Sequence, residues 1–312
     1  MMVSNRFDFN ALSDQLVTAW KYAKNYPYSC CCRGCRKKAI KSHLLQQHPI
    51  LVSICDERNC VLQMVDNRKD PRSRDWDFYH SHEVGISDAL QYKLFCKEHD
   101  NSLFKDIEQR NSLPESKNDC LLLAFRSACA VRHQEELRLN IYEKTRTGSY
   151  IDSAKEGVSR AFIRRMDAVV DNLWDAINGN GDNHYLFRMI AMPRVDIALS
   201  DCIIDEADLE SHIMDDYYAS LNCLFINLIP DLDRLLLLLG CDTRHDKNGE
   251  YKRIIMAFPT GDVSIDYYLN TLKGILLKCS NWCCAPRLYN DIDWKTFFDE
   301  YEGLKVNSSF LE

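Results

Sequence analysis

Two half-sites for a metal ion constrain this chain more than any other feature. The first is Cys32-Arg33-Gly34-Cys35, and the second, much later, is Cys96-Lys97-Glu98-His99. Thiols at i and i+3 form a knuckle that can hold half of a tetrahedral zinc shell. Cys96 and His99 share one turn if a helix begins there, so they can supply the other half. Binding at such a point is also folding free energy. The run Cys30-Cys31-Cys32 leaves the register of the first half open, and Cys30 or Cys31 can stand in for Cys32.

Fifteen cysteines in 312 residues raise the alternative of a disulfide framework. Most of them, such as Cys120, Cys129, Cys202, Cys223 and Cys279, lie singly in apolar stretches, where free cysteine behaves as a small core residue. The first residues hold no apolar signal core, so a reducing cytoplasmic setting is expected. No apolar run is long enough to cross a membrane, and no membrane partner is expected. The length suggests two domains, with a boundary in the polar, Pro114-containing stretch near residue 112, giving 1–112 and 113–312.

The net charge of −7 is unevenly spread. Residues 1–110 hold 17 Lys+Arg against 14 Asp+Glu, and the remainder holds 22 against 32. Arg33, Arg36, Lys37, Lys38 and Lys41 surround the knuckle with no acid among them, as a phosphate-binding surface requires. The acidic remainder suits a protein partner better than nucleic acid.

Periodicity predicts a helix over 8–25, extended chain over 39–45, a strand over 60–65, a strand over 92–95 and a helix over 98–108. Two long helices follow, over 119–144 and 153–177, the second opened by a capping box at Ser153 and Glu156. Strand-like runs then occupy 185–199, 221–229, 234–241 and 253–258. Helices are predicted over 265–279 and around 294–301. The fold class is therefore α+β, with an N-terminal metal-binding unit, two long helices, and a C-terminal antiparallel sheet with packed helices.

Knuckle, hairpin bearing a histidine, then a helix whose first turn gives two ligands is the order of a treble-clef (ββα-metal) zinc fold. Over residues 30–108 the chain resembles the HNH endonuclease superfamily. Ser42-His43 matches its Asp-His pair, and Cys96-Lys97-Glu98-His99-Asp100 matches its closing Cys-x-x-Cys-His. The resemblance implies structural zinc on Cys32, Cys35, Cys96 and His99, with His43 as general base. It puts Asp100 in the place of a cation-binding histidine, with His82 and Asn101 as candidates for the middle Asn or His and Mg or Mn as catalytic cation. Ser42 departs from the pattern by removing a carboxylate. More closely, Ala39-Ile40-Lys41-Ser42-His43 and Phe95-Cys96-Lys97-Glu98-His99-Asp100 are similar to a broad group of uncharacterised bacterial proteins, which imply no activity. The expected function is a metal-dependent nucleic-acid endonuclease, in bacterial defence or as a toxin. The alternative is a non-catalytic, zinc-stabilised binding module acting through a protein partner.

Overall fold

Helix α1 (Phe9–Asn25) stops two residues before Pro27, and an irregular loop closed by a bridge between Ser29 and Lys38 follows it. Strand β1 (Ile40–His43) pairs antiparallel with β4 (Gln91–Phe95), and helix α2 (Lys97–Gln109) leaves directly from β4. Between β1 and β4 lie a short helical turn at Gln47–Leu51 and the hairpin of β2 (Cys60–Asp66) with β3 (Tyr79–Gly85). The computed structural model describes residues 9–66, 79–110, 113–146, 150–204, 221–246, 248–259 and 264–291. The helix expected around 294–301 lies outside them.

Helix α3 (Lys117–Thr145) starts at a capping box in which Ser116 accepts from the Asp119 N–H and Asp119 accepts from the Ser116 N–H. Every residue from Leu121 to Ala130 is buried, so this half of α3 is enclosed on all sides rather than amphipathic. Helix α4 (Tyr150–Ile177) begins three residues before Ser153, which therefore stands inside the helix and not at its cap.

The run expected as one strand over 185–199 is broken after Pro193 into β5 (Tyr185–Pro193) and β6 (Ile197–Ile204). Strands β7 (Cys223–Pro230) and β8 (Arg234–Asp242) form the hairpin read from Pro230-Asp231-Leu232-Asp233. The strand expected over 253–258 is instead helix α5 (Glu250–Ala257). Its inward residues Tyr251, Ile254, Ile255 and Phe258 recur at helical spacing. The Asp246 carboxylate accepts from the N–H groups of Tyr251 and Lys252, anchoring the first turn. Helix α6 (Ile265–Lys278), the three-residue strand β9 (Trp282–Cys284) and helix α7 (Pro286–Asp291) complete the described chain.

One seven-stranded antiparallel sheet, in the order β3-β2-β9-β6-β7-β8-β5, organises these elements. It takes β2 and β3 from before residue 112 and the rest from after it, so strands on both sides of the expected boundary share one sheet. Both faces are covered. On one side α3 and α4 enclose a core with Phe125, Cys129, Phe225 and Cys202; on the other Tyr251, Ile255, Leu272 and Leu276 pack on Leu235, Leu237 and Leu239. Double coverage explains why β8 reads as an unbroken apolar run instead of alternating. The ring of Phe187 on β5 lies across Gly240 on β8, where a Cβ would collide with it. Asp201, buried in β6, accepts from the N–H groups of Cys202, Ser280 and Asn281 and from the Asn281 side chain. Asn281 in turn binds Tyr92 of β4 and Gln134 of α3, which ties the β1–β4 unit to the sheet. All fifteen cysteines are free thiols. Among the described residues no helix is long and apolar enough to cross a membrane.

Candidate metal centre

The ligand loop and the helix start are clamped together by main-chain bonds. The Cys30 N–H donates to the Lys37 carbonyl, and the Cys35 N–H to that of Cys32. Gly34, at φ +80°, lets the chain turn between them. The Cys31 N–H donates to the carbonyl of Leu94, two residues before Cys96. Cys96 is the N-cap of α2, and His99 stands in its first turn.

Cys30, Cys35, Cys96 and His99 converge, with one ligand atom from each lying within 4.8 Å of the others. Cys30 Sγ is 3.3 Å and Cys96 Sγ 3.5 Å from Nδ1 of His99, and Cys35 Sγ is 3.9 Å from Cys96 Sγ. Ligands at about 2.3 Å for sulfur and 2.0–2.1 Å for nitrogen around tetrahedral zinc stand roughly 3.5–3.8 Å apart, so this set fits the ion. The His99 ring is held edge-on against Trp174 of α4, with centroids 5.9 Å apart.

Cys32 is not a member of this set. Its thiol donates to Cys30, and this bond is the main reason that the Cys30 thiol titrates at about 4. Burial opposes that shift, while backbone bonds from Cys96 and Cys32 and the His99 ring reinforce it. The same bond, together with burial, raises Cys32 and keeps its proton in place. Cys32 therefore supports the shell from behind, and the register through Cys30 is the one adopted. Burial raises Cys35, and the adjoining Cys30 and Cys96 sulfurs add to that rise. A divalent cation bound there would supply counter-charge to such a crowd of sulfurs.

His43 ends β1, and its Nε2–H donates to the Ile86 carbonyl at 3.2 Å. Burial lowers its pKa, as does the charge of Arg126, whereas the Ile86 and Ser87 carbonyls and Asp100 oppose the shift. His43 and Asp100 are thus brought into one electrostatic neighbourhood. Asp100 is half-buried, and its Oδ1 has no hydrogen-bond partner. The Ser42 hydroxyl, at 1 % exposure, also has none. Asn101 is exposed and lines an open depression of about 540 Å³ with Gln46, Lys105, Glu108 and Gln109.

The basic loop is largely neutralised by its surroundings. Arg33 pairs with Asp175, Lys37 with Glu98 and Lys41 with Asp88. Arg36 and Lys38 are exposed. Arg126 on α3 is 2 % exposed. It lies 3.6 Å over the Phe104 ring, with Nη2 on Glu108 and Nη1 on the Leu44 carbonyl.

Comparison with protein-family models, with curated proteins and with solved structures finds no match for this chain.

Proposed function

We propose that Cys30, Cys35, Cys96 and His99 form a structural zinc site of treble-clef type, and that the adjoining start of α2 is the centre of an HNH-like nucleic-acid endonuclease. The zinc is structural in this reading because four protein ligands leave no open position for substrate or water. The observation that carries the catalytic part is the shared neighbourhood of His43 and Asp100, with a buried carboxylate oxygen left unpartnered. Buried polar atoms without partners are rare enough to ask for a ligand.

His43 has the attributes of a general base. Its lowered pKa keeps the ring neutral at neutral pH, and donation from Nε2 to Ile86 leaves the lone pair on Nδ1. Such a ring takes the proton of a water attacking a phosphodiester. Asp100 would hold Mg or Mn, with Asn101 as a further oxygen donor; bound there, the cation stabilises charge on the leaving oxygen. Arg36 and Lys38 are the exposed cations of the loop that face phosphates in this reading.

A second reading, the non-catalytic binding module acting through a protein partner, is favoured by a different observation. Three of the five loop cations are already paired with carboxylates, and Ser42 offers a buried hydroxyl where the HNH pattern has a charged ligand. Cleavage of plasmid DNA and of RNA at low salt, with Mg or Mn, separates the two. The endonuclease reading expects cleavage by the zinc-loaded chain and a loss on the order of 10²–10⁴ in rate for His43→Ala, with zinc content unchanged. Absence of cleavage by the wild type with either metal leaves the binding module. Equal cleavage by the variant removes His43 from the chemistry.

A further inference from the structure

Residues 15–55 hold seven Lys+Arg and no Asp or Glu, in a chain whose net charge is −7. The fold brings part of this charge together where cations oppose one another. Lys41 of β1 stands directly opposite Lys93 of β4 in the strand pair, and like charges at opposed positions destabilise such a pair. Burial lowers the Lys93 pKa, and the charges of Lys38 and Lys41 lower it further. Among the described residues no carboxylate pairs with Lys93. Its ammonium donates instead to the carbonyls of Lys24 and Tyr26, at 2.8 and 3.2 Å, where α1 ends. Lys41 is paired with Asp88, but the two side chains are 56 % and 58 % exposed, and a pair so exposed holds little energy.

The bonds of Lys93 also set these lysines against an aromatic surface. Tyr26 meets Tyr22 edge-on with ring centroids 5.9 Å apart, and the two are 37 % and 41 % exposed. Lys144 of α3 lies 4.2 Å over the Tyr22 ring. We propose that Lys38, Lys41 and Lys93, with Tyr22 and Tyr26 beside them, bind single-stranded nucleic acid, the ammonium groups on phosphates and the rings against bases. Charge alone suits any polyanion; the rings select one with bases, because every base offers a face for stacking. A duplex keeps its bases stacked on one another and offers the tyrosines none. An anionic membrane fits less well, since interfacial binding buries a Leu, Phe or Trp face, and the exposed apolar side chains of this surface are two tyrosines and Ile40. The inference rests on the nucleic-acid reading above and narrows its substrate to a single strand, but it asks no chemistry of His43.

Fluorescence anisotropy of a labelled oligothymidylate of about 15 nucleotides, titrated with the full zinc-loaded chain at low salt without added Mg or Mn, tests the proposal. The strand is expected to bind at least about ten-fold more tightly than a duplex of the same length or polyglutamate of equal charge. Three phosphate contacts predict that log K falls with log salt at a slope of about −2. Lys38→Gln is expected to make this slope shallower by about 0.7, and Tyr26→Ala to weaken binding about 5–150-fold. Both positions are exposed, and an unchanged melting midpoint shows that a variant is folded. Equal affinity for the three polyanions overturns the proposal, as does undiminished affinity in both variants. Tighter binding to phosphatidylserine vesicles than to the strand overturns it too, and so does no binding up to about 100 µM protein. Binding as expected, without cleavage once Mg or Mn is added, supports the inference and removes the catalytic reading. Cleavage undiminished in both variants keeps the catalytic reading and overturns this one.

Discussion

Sγ of Cys30 lies 3.3 Å from Nδ1 of His99, and the thiol that donates to this sulfur belongs to Cys32. One of the two cysteines binds the ion in this account and the other only steadies it, so their substitutions separate. Cys30→Ser is expected to lose zinc and unfold the β1–β4 and α2 unit, because structural zinc binding is folding free energy. Cys32→Ala is expected to keep one zinc per chain with affinity reduced about 10–100-fold, the usual consequence of removing a partner of a ligand. Competition with a chromophoric chelator measures both. Equal loss in the two variants would contradict the assignment.

Arg126 and Glu108 form a pair of unequal burial, with side chains 3 % and 34 % exposed. Removing the outer partner strands a charge, and removing the inner one does not. Glu108→Ala is therefore expected to cost on the order of 2–3 kcal/mol, since the guanidinium stays buried over Phe104 without its carboxylate. Arg126→Met keeps the contact with the Phe104 ring and returns Glu108 to water, and should cost less, about 1 kcal/mol. Urea unfolding of the zinc-loaded proteins gives the order. A larger cost for Arg126→Met would reverse the argument.

Gly240 is required by the Phe187 ring that crosses it. Gly240→Ala is expected to destabilise by about 1–3 kcal/mol through overpacking. In a Phe187→Ala background the same substitution should cost much less, because the colliding atoms are gone. Additive effects in the double-mutant cycle would show that the contact does not limit the strand pair.

The places of Cys35, Cys96 and His99 in the cluster, the long helices and the β7–β8 hairpin were legible because each is written locally, in residue spacing, apolar period or turn residues. Three features were not. The register through Cys30 depends on the Cys31 N–H reaching the Leu94 carbonyl, which fixes how the cysteine run lies against β4. Helix α5 reads as a strand from its apolar density, although Tyr251, Ile255 and Phe258 keep a helical spacing and the Asp246 carboxylate anchors its first turn. β9 is three residues long and exists because β2 and β6 both pair with it, a partnership no local pattern encodes. For the candidate site, His43 and Asp100 were named from the resemblance alone, whereas the burial of Ser42 and Arg126 is not written in any local pattern.

Burial holds His43 below its ordinary value of 6.5. The unfolded chain therefore binds a proton near pH 6.5 that the folded chain refuses until lower pH. Between those two values the unfolded state carries more protons, so stability rises with pH there. The contribution is present above pH 6.5 and is lost as pH falls through the folded value. His43→Gln is expected to flatten the fall of unfolding free energy between neutral and mildly acid pH relative to the wild type. An imidazole NMR titration of the zinc-loaded chain should place the His43 midpoint below 6.5. A midpoint at or above that value, with equal slopes, would contradict the burial argument.

The central claim is that Cys30, Cys35, Cys96 and His99 hold one zinc ion, and X-ray absorption at the zinc edge of the purified chain tests it most directly. The account predicts one zinc per chain in a shell of three sulfurs at about 2.3 Å and one nitrogen at about 2.0–2.1 Å, unchanged by Cys32→Ser. A chain that binds no zinc, or a shell that loses a sulfur when Cys32 is replaced, would contradict it.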